Sequence, residues 1–212
     1  MAQGKFIVFC GGEGNGKSTQ AKLLAEFLKK EGKEALLTKE PGGDPVGNDI
    51  RSILLNPEHK EIFSYRAELL LFIANRAQHV ERVVKPALEA GKIVVCDRFD
   101  SDTFAYQCGG RKVFESADFH LFNDFATAGT KPDFYIWIDI DPKVGLARKA
   151  KEGVLTRFEK EKLDFHERVR VGFEAFFESG LGEGSWQKFN GNLGVEELHQ
   201  QIKETLKSKR LI

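Results

Sequence analysis

At 212 residues the chain has the length of one sizeable domain, with little room for a second. Hydrophobic residues make up 41% and charged residues 30%, the make-up of an ordinary soluble globular protein. Its 32 Lys and Arg balance 32 Asp and Glu, which excludes any global pull towards nucleic acid or an anionic membrane; a phosphate-binding field has to be local. The three cysteines, Cys10, Cys96 and Cys108, lie far apart without metal-type spacing. A reducing compartment is the natural reading, and with neither a signal-peptide pattern nor a membrane-length apolar run the expectation is a cytoplasmic protein.

Taken in order, Lys5–Cys10 is a continuous apolar run of strand length, as in a strand covered on both faces. It runs straight into Gly11-x-x-x-x-Gly16-Lys17-Ser18, the P-loop spacing, and then into a helical pattern carrying Ala21, Leu24, Ala25 and Leu28. Gly11, Gly12, Gly14 and Gly16 let successive N–H groups curl inwards as an anion nest, and the new helix points its positive end into it. Lys17 brings a point charge to the β- and γ-phosphates, and the Ser18 hydroxyl can ligate Mg²⁺. A nucleoside triphosphate is the implied ligand, spread along Gly11, Gly12, Glu13, Gly14, Asn15, Gly16, Lys17, Ser18 and Thr19.

Ala35–Thr38 reads as a second strand, Glu40–Pro45 as a loop that can be neither helix nor ladder, and Ile50–Leu54 as a short helix ending near Pro57. Tyr65–Ala90 is the longest helical pattern, with a kink expected at Pro86. Lys92–Asp97 is a third strand, Val113–Ala128 a helix, Asp133–Asp139 a fourth strand, and Pro142–Lys151 a helix with proline in its first turn. Leu163–Phe177 is helical, Gln187–Asn190 a weak fifth strand, and Val195–Lys207 a final amphipathic helix. Strands alternating with helices predict an α/β fold: a doubly wound five-stranded parallel sheet with helices on both faces, of the P-loop kinase type, in one domain over 1–212. Ligands of such sheets sit outside the carboxyl ends of the strands, where the Gly11 loop, the Glu40 loop and Asp97-Arg98 all fall.

A P-loop alone does not separate a kinase from a switch or a motor. Arg98 at a strand end can clamp a second phosphate, and Asp97 is a natural direct or indirect partner for Mg²⁺. Phe72 and Arg76 share a helix face and suit a flat base, although on spacing alone Phe72 reads as core.

The stretches Phe9–Gln20, Glu40-Pro-Gly-Gly43, Leu71–Arg76, Asp97-Arg-Phe99 with Ala105-Tyr-Gln107, and Pro132-Asp133 together resemble the bacterial thymidylate kinases, in order and over nearly the whole chain. The resemblance implies transfer of the γ-phosphate of Mg-ATP to thymidine 5′-monophosphate (dTMP), giving dTDP for dTTP supply in DNA synthesis, by a homodimer that takes ATP and dTMP and no nucleic acid or membrane partner. It further implies that Lys17 holds ATP, that Ser18 and Asp97 serve Mg²⁺, and that Arg98 clamps the acceptor phosphate with Arg51. Phe72 would stack on thymine and Arg76 contact its carbonyl. Tyr106 would stand against the sugar, Glu13 approach the 3′-hydroxyl, and Gln107 and Thr103 complete the substrate set, the base-edge contact at Thr103 staying open.

One branch of that family carries a catalytic arginine inside the P-loop and the other supplies it from a lid. Here the P-loop position is Gly14, so a lid over about residues 148–160 inherits the role, with Arg157 first and Arg148 second. The stretch Arg148–Arg170 carries eight Lys or Arg against five Asp or Glu. Cys10 stands where the family usually has a glutamate, which should alter the polar packing beneath the loop. The alternatives are a kinase for another pyrimidine nucleotide and a nucleotide-hydrolysing switch, although no Asn-Lys-x-Asp is present.

Overall fold

The computed structural model describes residues 4–114, 118–153, 155–182 and 184–212. Five strands, β1 (Lys5–Cys10), β2 (Ala35–Lys39), β3 (Ile93–Asp97), β4 (Phe134–Asp139) and β5 (Ser185–Asn190), form one sheet in the order β2-β3-β1-β4-β5. Every pairing is parallel, with Phe9 opposite Asp97 on one side of β1 and Ile136 on the other. Because side chains alternate along a strand, β1 divides its apolar residues between two cores. Phe6, Val8 and Cys10 join Val94, Cys96, Tyr135 and Trp137 on one face; Ile7 and Phe9 join Val95, Phe134, Ile136 and Ile138 on the other. That explains why β1 is apolar from Phe6 to Cys10: each of these large side chains contributes roughly 2–3 kcal/mol by leaving water, and none has a solvent face.

The second face is covered by α1 (Lys17–Lys30), through Ala21, Leu24 and Leu28, and by α9 (Val195–Ser208), through Leu198, Ile202 and Leu206. The first face is covered by α8 (Leu163–Glu178), whose Phe165, Val169, Phe173, Phe176 and Phe177 follow helical spacing. Between sheet and rim run α2 (Pro45–Leu55), α3 (Tyr65–His79), α4 (Lys85–Glu89), α5 (Asp100–Thr103), α6 (Phe119–Thr127) and α7 (Pro142–Ala150). Among the described residues no helix is long and apolar enough to cross a membrane.

Four local expectations need correction. Pro45 opens α2 rather than closing the loop: it occupies the first turn, where its missing N–H costs nothing, and Asp44 caps the helix by accepting from Gly47 N at 2.6 Å. The long helix is regular only to His79; Val80–Val84 widen into a π-helical turn, and the α-helix resumes over Lys85–Glu89 with Pro86 in its first turn. Val113 and Phe114 are irregular, 115–117 lie outside the described residues, and α6 starts at Phe119. Phe104–Gly110, with no helical prediction, is a π-helical segment continuing α5. Gly172 of α8 backs directly onto it, since a Cβ at 172 would lie 2.9 Å from Ala105 Cα.

Candidate active site

The carboxyl ends of β1, β2 and β3 open into a cleft of about 610 Å³, floored by the P-loop and walled by α2, α3, the segment after β3 and the residues around α7. Gly11, Gly14 and Gly16 have φ of +129°, +65° and +90°, which only glycine adopts freely, whereas Gly12 is not among the positive-φ residues. α1 begins without a side-chain cap, so its first N–H groups remain largely available to an anion. Asn15 fastens the loop from inside, donating to Ile138 O at 2.7 Å and accepting from Lys17 N at 3.1 Å. Lys17 Nζ is folded onto Gly12 O at 2.8 Å, and the Ser18 hydroxyl donates to Asp97 Oδ2 at 2.5 Å. Burial pulls the Lys17 ammonium below its ordinary pKa, helped by Arg98 and opposed by Glu13, Asp97 and Asp102.

Arg98 holds the centre. Its φ of +74° is unfavourable for a residue with a Cβ, by about 1–2 kcal/mol, and is pinned where its N–H donates to Phe9 O at 2.8 Å. The guanidinium donates to Glu13 Oε1 at 2.8 Å and Asp102 Oδ1 at 2.6 Å, and Tyr106 Oη donates to the same Glu13 oxygen at 2.7 Å. The two carboxylates respond oppositely. Burial pushes both upwards; at Glu13, Arg98, Lys17 and the tyrosine hydroxyl overcome it and hold the group at about 2. At Asp102 burial wins against Arg98 and Lys17, and the group rises to about 6. Arg51 reaches the same cleft, donating to Pro41 O at 2.8 Å.

Deeper in the cleft, α3 presents Phe72 and Arg76. Phe72 is half-buried and lines the cleft with one edge while packing on Phe158, centroids 6.0 Å apart, so it serves core and cleft together. Arg76 is buried: Nε donates to Glu40 Oε2 at 3.1 Å and NH2 to Thr103 Oγ1 at 2.8 Å. Gln107 Nε2 donates to Glu68 Oε1 at 2.8 Å. A carboxylate only accepts, so the Gln107 amide oxygen faces away from it, and that oxygen has no protein partner.

The lid arginines divide. Arg148 lines the cleft, donating to Gly191 O at 2.9 Å and lying 3.4 Å from Gly14 O, with Lys149 beside it. Arg157 does not reach the cleft. It is fully buried, ion-paired with Glu68, bonded to Leu54 O at 2.9 Å and packed on the rings of Phe63 and Phe158. The expectation that Arg157 leads is therefore corrected: its motif position is filled, but its charge is spent on Glu68. Gly14 admits no larger residue, since a Cβ there would lie 2.0 Å from Gly145 O.

Sequence reasoning placed the Glu40 loop at the site without a role for its carboxylate, and passed over Glu68, Asp102 and Gly145. Asp102 was accessible in principle, one helical turn after Arg98, whereas Glu40 and Glu68 pair with arginines 36 and 89 residues away and leave no local pattern. Beneath the loop the Cys10 thiol is fully buried, its Sγ 3.7 Å from Ile136 O.

A P-loop facing a partly buried arginine held between two carboxylates across one cleft is the arrangement of a P-loop phosphotransferase. The thymidylate kinase family model matches residues 9–202. The thymidylate kinase of Trichormus variabilis (strain ATCC 29413 / PCC 7937) is 43% identical over 207 residues, covering 96% of this chain and 95% of that one. That of Synechococcus sp. (strain JA-2-3B'a(2-13)) is 48% identical over 171 residues, covering 80% and 79%. The crystal structure of the Ehrlichia chaffeensis thymidylate kinase matches with a TM-score of 0.77 at 29% identity, over 97% of this chain and 99% of that one. The chain belongs to the thymidylate kinase family and is a kinase.

Proposed function

We propose that this kinase transfers the γ-phosphate of ATP to dTMP, giving dTDP and ADP and so feeding dTTP synthesis. The observation that carries the reading is the shared cleft: the P-loop with Lys17 at one end, Arg98 between Glu13 and Asp102 at the middle, and Phe72 with Arg76 at the base end. Phosphoryl transfer asks for alignment and compensation of charge on the transferring oxygens rather than for covalent chemistry by the protein. Lys17 and the amides from Glu13 to Thr19 hold the donor. Arg98, with Arg51, holds the acceptor phosphate, its direction fixed by two carboxylates. Arg148, from the lid over about 148–160, replaces Arg157 as the arginine closest to the transferred group, and closure of that lid excludes water.

At the base end Phe72 stacks, Arg76 donates to a carbonyl, and the Gln107 amide oxygen accepts the base N3–H. Thr103 Oγ1 already accepts from Arg76, so its part is to hold that arginine. Tyr106 and Glu13 address the sugar, the hydroxyl of one bonded to the carboxylate of the other. A Mg²⁺ ion travelling with ATP would be held by Ser18 and by Asp97, whose Oδ1 is buried without a partner. Bound there, it would neutralise phosphate charge; such ions take most of their ligands from phosphate and water, so a protein cage is not required. Apolar residues left exposed on α3 (Leu70) and α6 (Leu121 and Phe125) support pairing of two copies through these helices, which sedimentation of the purified protein tests. A cytoplasmic setting follows from such a role.

The deciding experiment is ADP release from Mg-ATP with and without dTMP, dUMP, UMP, CMP and AMP. Strong stimulation by dTMP alone is the expected result. Stimulation by a different monophosphate would keep the phosphotransferase and reject the thymine site, and turnover indifferent to every acceptor would reject the kinase chemistry.

A further inference from the structure

The guanidinium of Arg76 sits in a chain of buried polar groups that begins at the far edge of the sheet. Thr38 Oγ1 of β2 is 2.7 Å from His79 Nε2, His79 Nδ1 is 2.9 Å from Glu40 Oε1, and the other oxygen of Glu40 accepts from Arg76 Nε at 3.1 Å with NH2 3.0 Å away. Arg76 NH2 goes on to Thr103 Oγ1 at 2.8 Å. His79, Glu40 and Arg76 are all buried; Glu40 and Arg76 line the cleft and His79 stands behind them. Because Glu40 only accepts, His79 Nδ1 carries a proton towards it, and Nε2 is left for the Thr38 hydroxyl.

The surrounding backbone is shaped to fit this chain. Arg76 and His79 lie three residues apart on α3, on one face. Asn75, beside them, accepts from Gly42 N at 3.1 Å, which ties the Glu40–Gly43 turn to the same helix. Gly43, with φ +99°, leaves the space the imidazole fills: a Cβ there would lie 2.3 Å from His79 Cδ2. Of the five N–H groups of Arg76, those on Nε and NH2 are taken by Glu40 and Thr103, while NH1 has only a long contact to Asn123 Oδ1 at 3.5 Å. NH1 is the end least committed to protein.

We propose that Glu40 and His79, anchored on Thr38, are positioning residues for base recognition: they fix the plane of the Arg76 guanidinium and leave NH1 free to donate to the base carbonyl. This rests on the reading above that Arg76 addresses the base. A guanidinium on a flexible stem loses rotamer freedom when it binds; here that loss is taken at folding, so it is not charged against binding. The chain acts on base affinity in the ground state and the transition state alike, and so on KM for dTMP rather than on kcat.

The test compares the Kd of dTMP with that of 2-deoxyribose 5-phosphate, which keeps sugar and phosphate and lacks the base, in wild type, Arg76→Met, His79→Leu, His79→Asn and Thr38→Val. In His79→Leu, dTMP should weaken roughly tenfold or more while the baseless ligand stays within about twofold. His79→Asn, which restores an N–H near the Nδ1 position, should recover most of the loss; Thr38→Val should lose about threefold. A folded His79→Leu with an unchanged ratio of the two affinities, or with both ligands weakened in parallel, overturns the proposal. Should His79→Leu fail to fold, Thr38→Val decides, an unchanged ratio there overturning it. An unchanged ratio in Arg76→Met would instead show that the base reading itself is wrong.

Discussion

Two clusters in this molecule are built from the same parts. In one, Glu68 is flanked by Arg157 and Arg111; in the other, Arg98 is flanked by Glu13 and Asp102. The first is sealed: Glu68 and Arg157 have no exposed side-chain surface, Arg111 has 3%, and aromatic rings cover both arginines. The second opens on the cleft, with a fifth of the Arg98 side chain exposed, a backbone in an unfavourable region, and one carboxylate oxygen of Asp102 unpartnered. Each keeps a buried polar atom without a partner, NH2 of Arg111 and of Arg157 in the first as Oδ2 of Asp102 in the second, so it is backbone strain and an open face that leave the second poised for a ligand. Residue type does not separate the two. Access does.

Removing one arginine from each cluster should therefore fail in different ways. Arg98→Ala is expected to lower kcat/KM with dTMP by roughly 10³–10⁵, as when an arginine clamp on a transferring phosphate is removed. Its urea midpoint should fall less than that of Arg157→Ala, because water can reach Glu13 and Asp102 once the guanidinium is gone. Arg157→Ala leaves Glu68 Oε2 without its partner in a dry site, Arg111 and Gln107 keeping Oε1, and should cost about 3 kcal/mol of unfolding free energy in urea titration. A kcat loss in Arg157→Ala as large as that of Arg98→Ala, with stability intact, would collapse the distinction.

The pH dependence sharpens it further. Asp102 titrates at about 6 in the folded protein, above its ordinary 3.8, so its charged form opposes folding. That cost is fully present above pH 6 and is relieved as pH falls towards 4. Glu13, held at about 2 against an ordinary 4.5, contributes stability that is present above 4.5 and lost as pH falls through 2. Between pH 7 and 5 Asp102 is thus the member of the pair that moves. Wild type should gain on Asp102→Asn by about 2 kcal/mol between pH 7 and 4, the Glu13 contribution being common to both proteins and cancelling in the comparison. Unfolding curves of the two proteins that stay parallel over this range would show that Asp102 is ionised throughout.

The same contrast explains what the sequence made legible. The sheet was readable because each buried strand is apolar at consecutive positions, and the phosphate end because Gly11–Ser18 is contiguous. Arg98 was readable because it ends a strand. What escaped were partners joined only by the fold. Glu68 meets Arg157 across 89 residues, Glu40 meets Arg76 across 36, and Gly14 meets Gly145 by backbone contact that no side-chain pattern encodes. The misplaced weight on Arg157 has this cause: its motif was visible, but the carboxylate that occupies it was not. The π-helical stretch Phe104–Gly110 escaped for a related reason, its stability resting on close packing against α8 rather than on its own periodicity.

The smaller effect on turnover concerns Arg148, which the same criterion of access places on the working side. It has no carboxylate partner among the described residues, only carbonyl oxygens of Gly14 and Gly191, so nothing holds its charge in reserve. Arg148→Ala should lower kcat by roughly 100-fold, the low end of the range for one electrostatic donor to the transferring group, with little change in the dTMP Kd or in stability. Gly145→Ala approaches the same residue from the backbone. Its Cβ would come within 2.1 Å of Glu13 O, forcing α7 away from the P-loop and carrying Arg148 with it. If access and placement give Arg148 its role, Gly145→Ala should reproduce most of the kcat loss of Arg148→Ala, and the double variant should be little worse than either. Losses that multiply in the double variant would mean that the two residues act separately, with α7 doing something for the P-loop beyond holding Arg148.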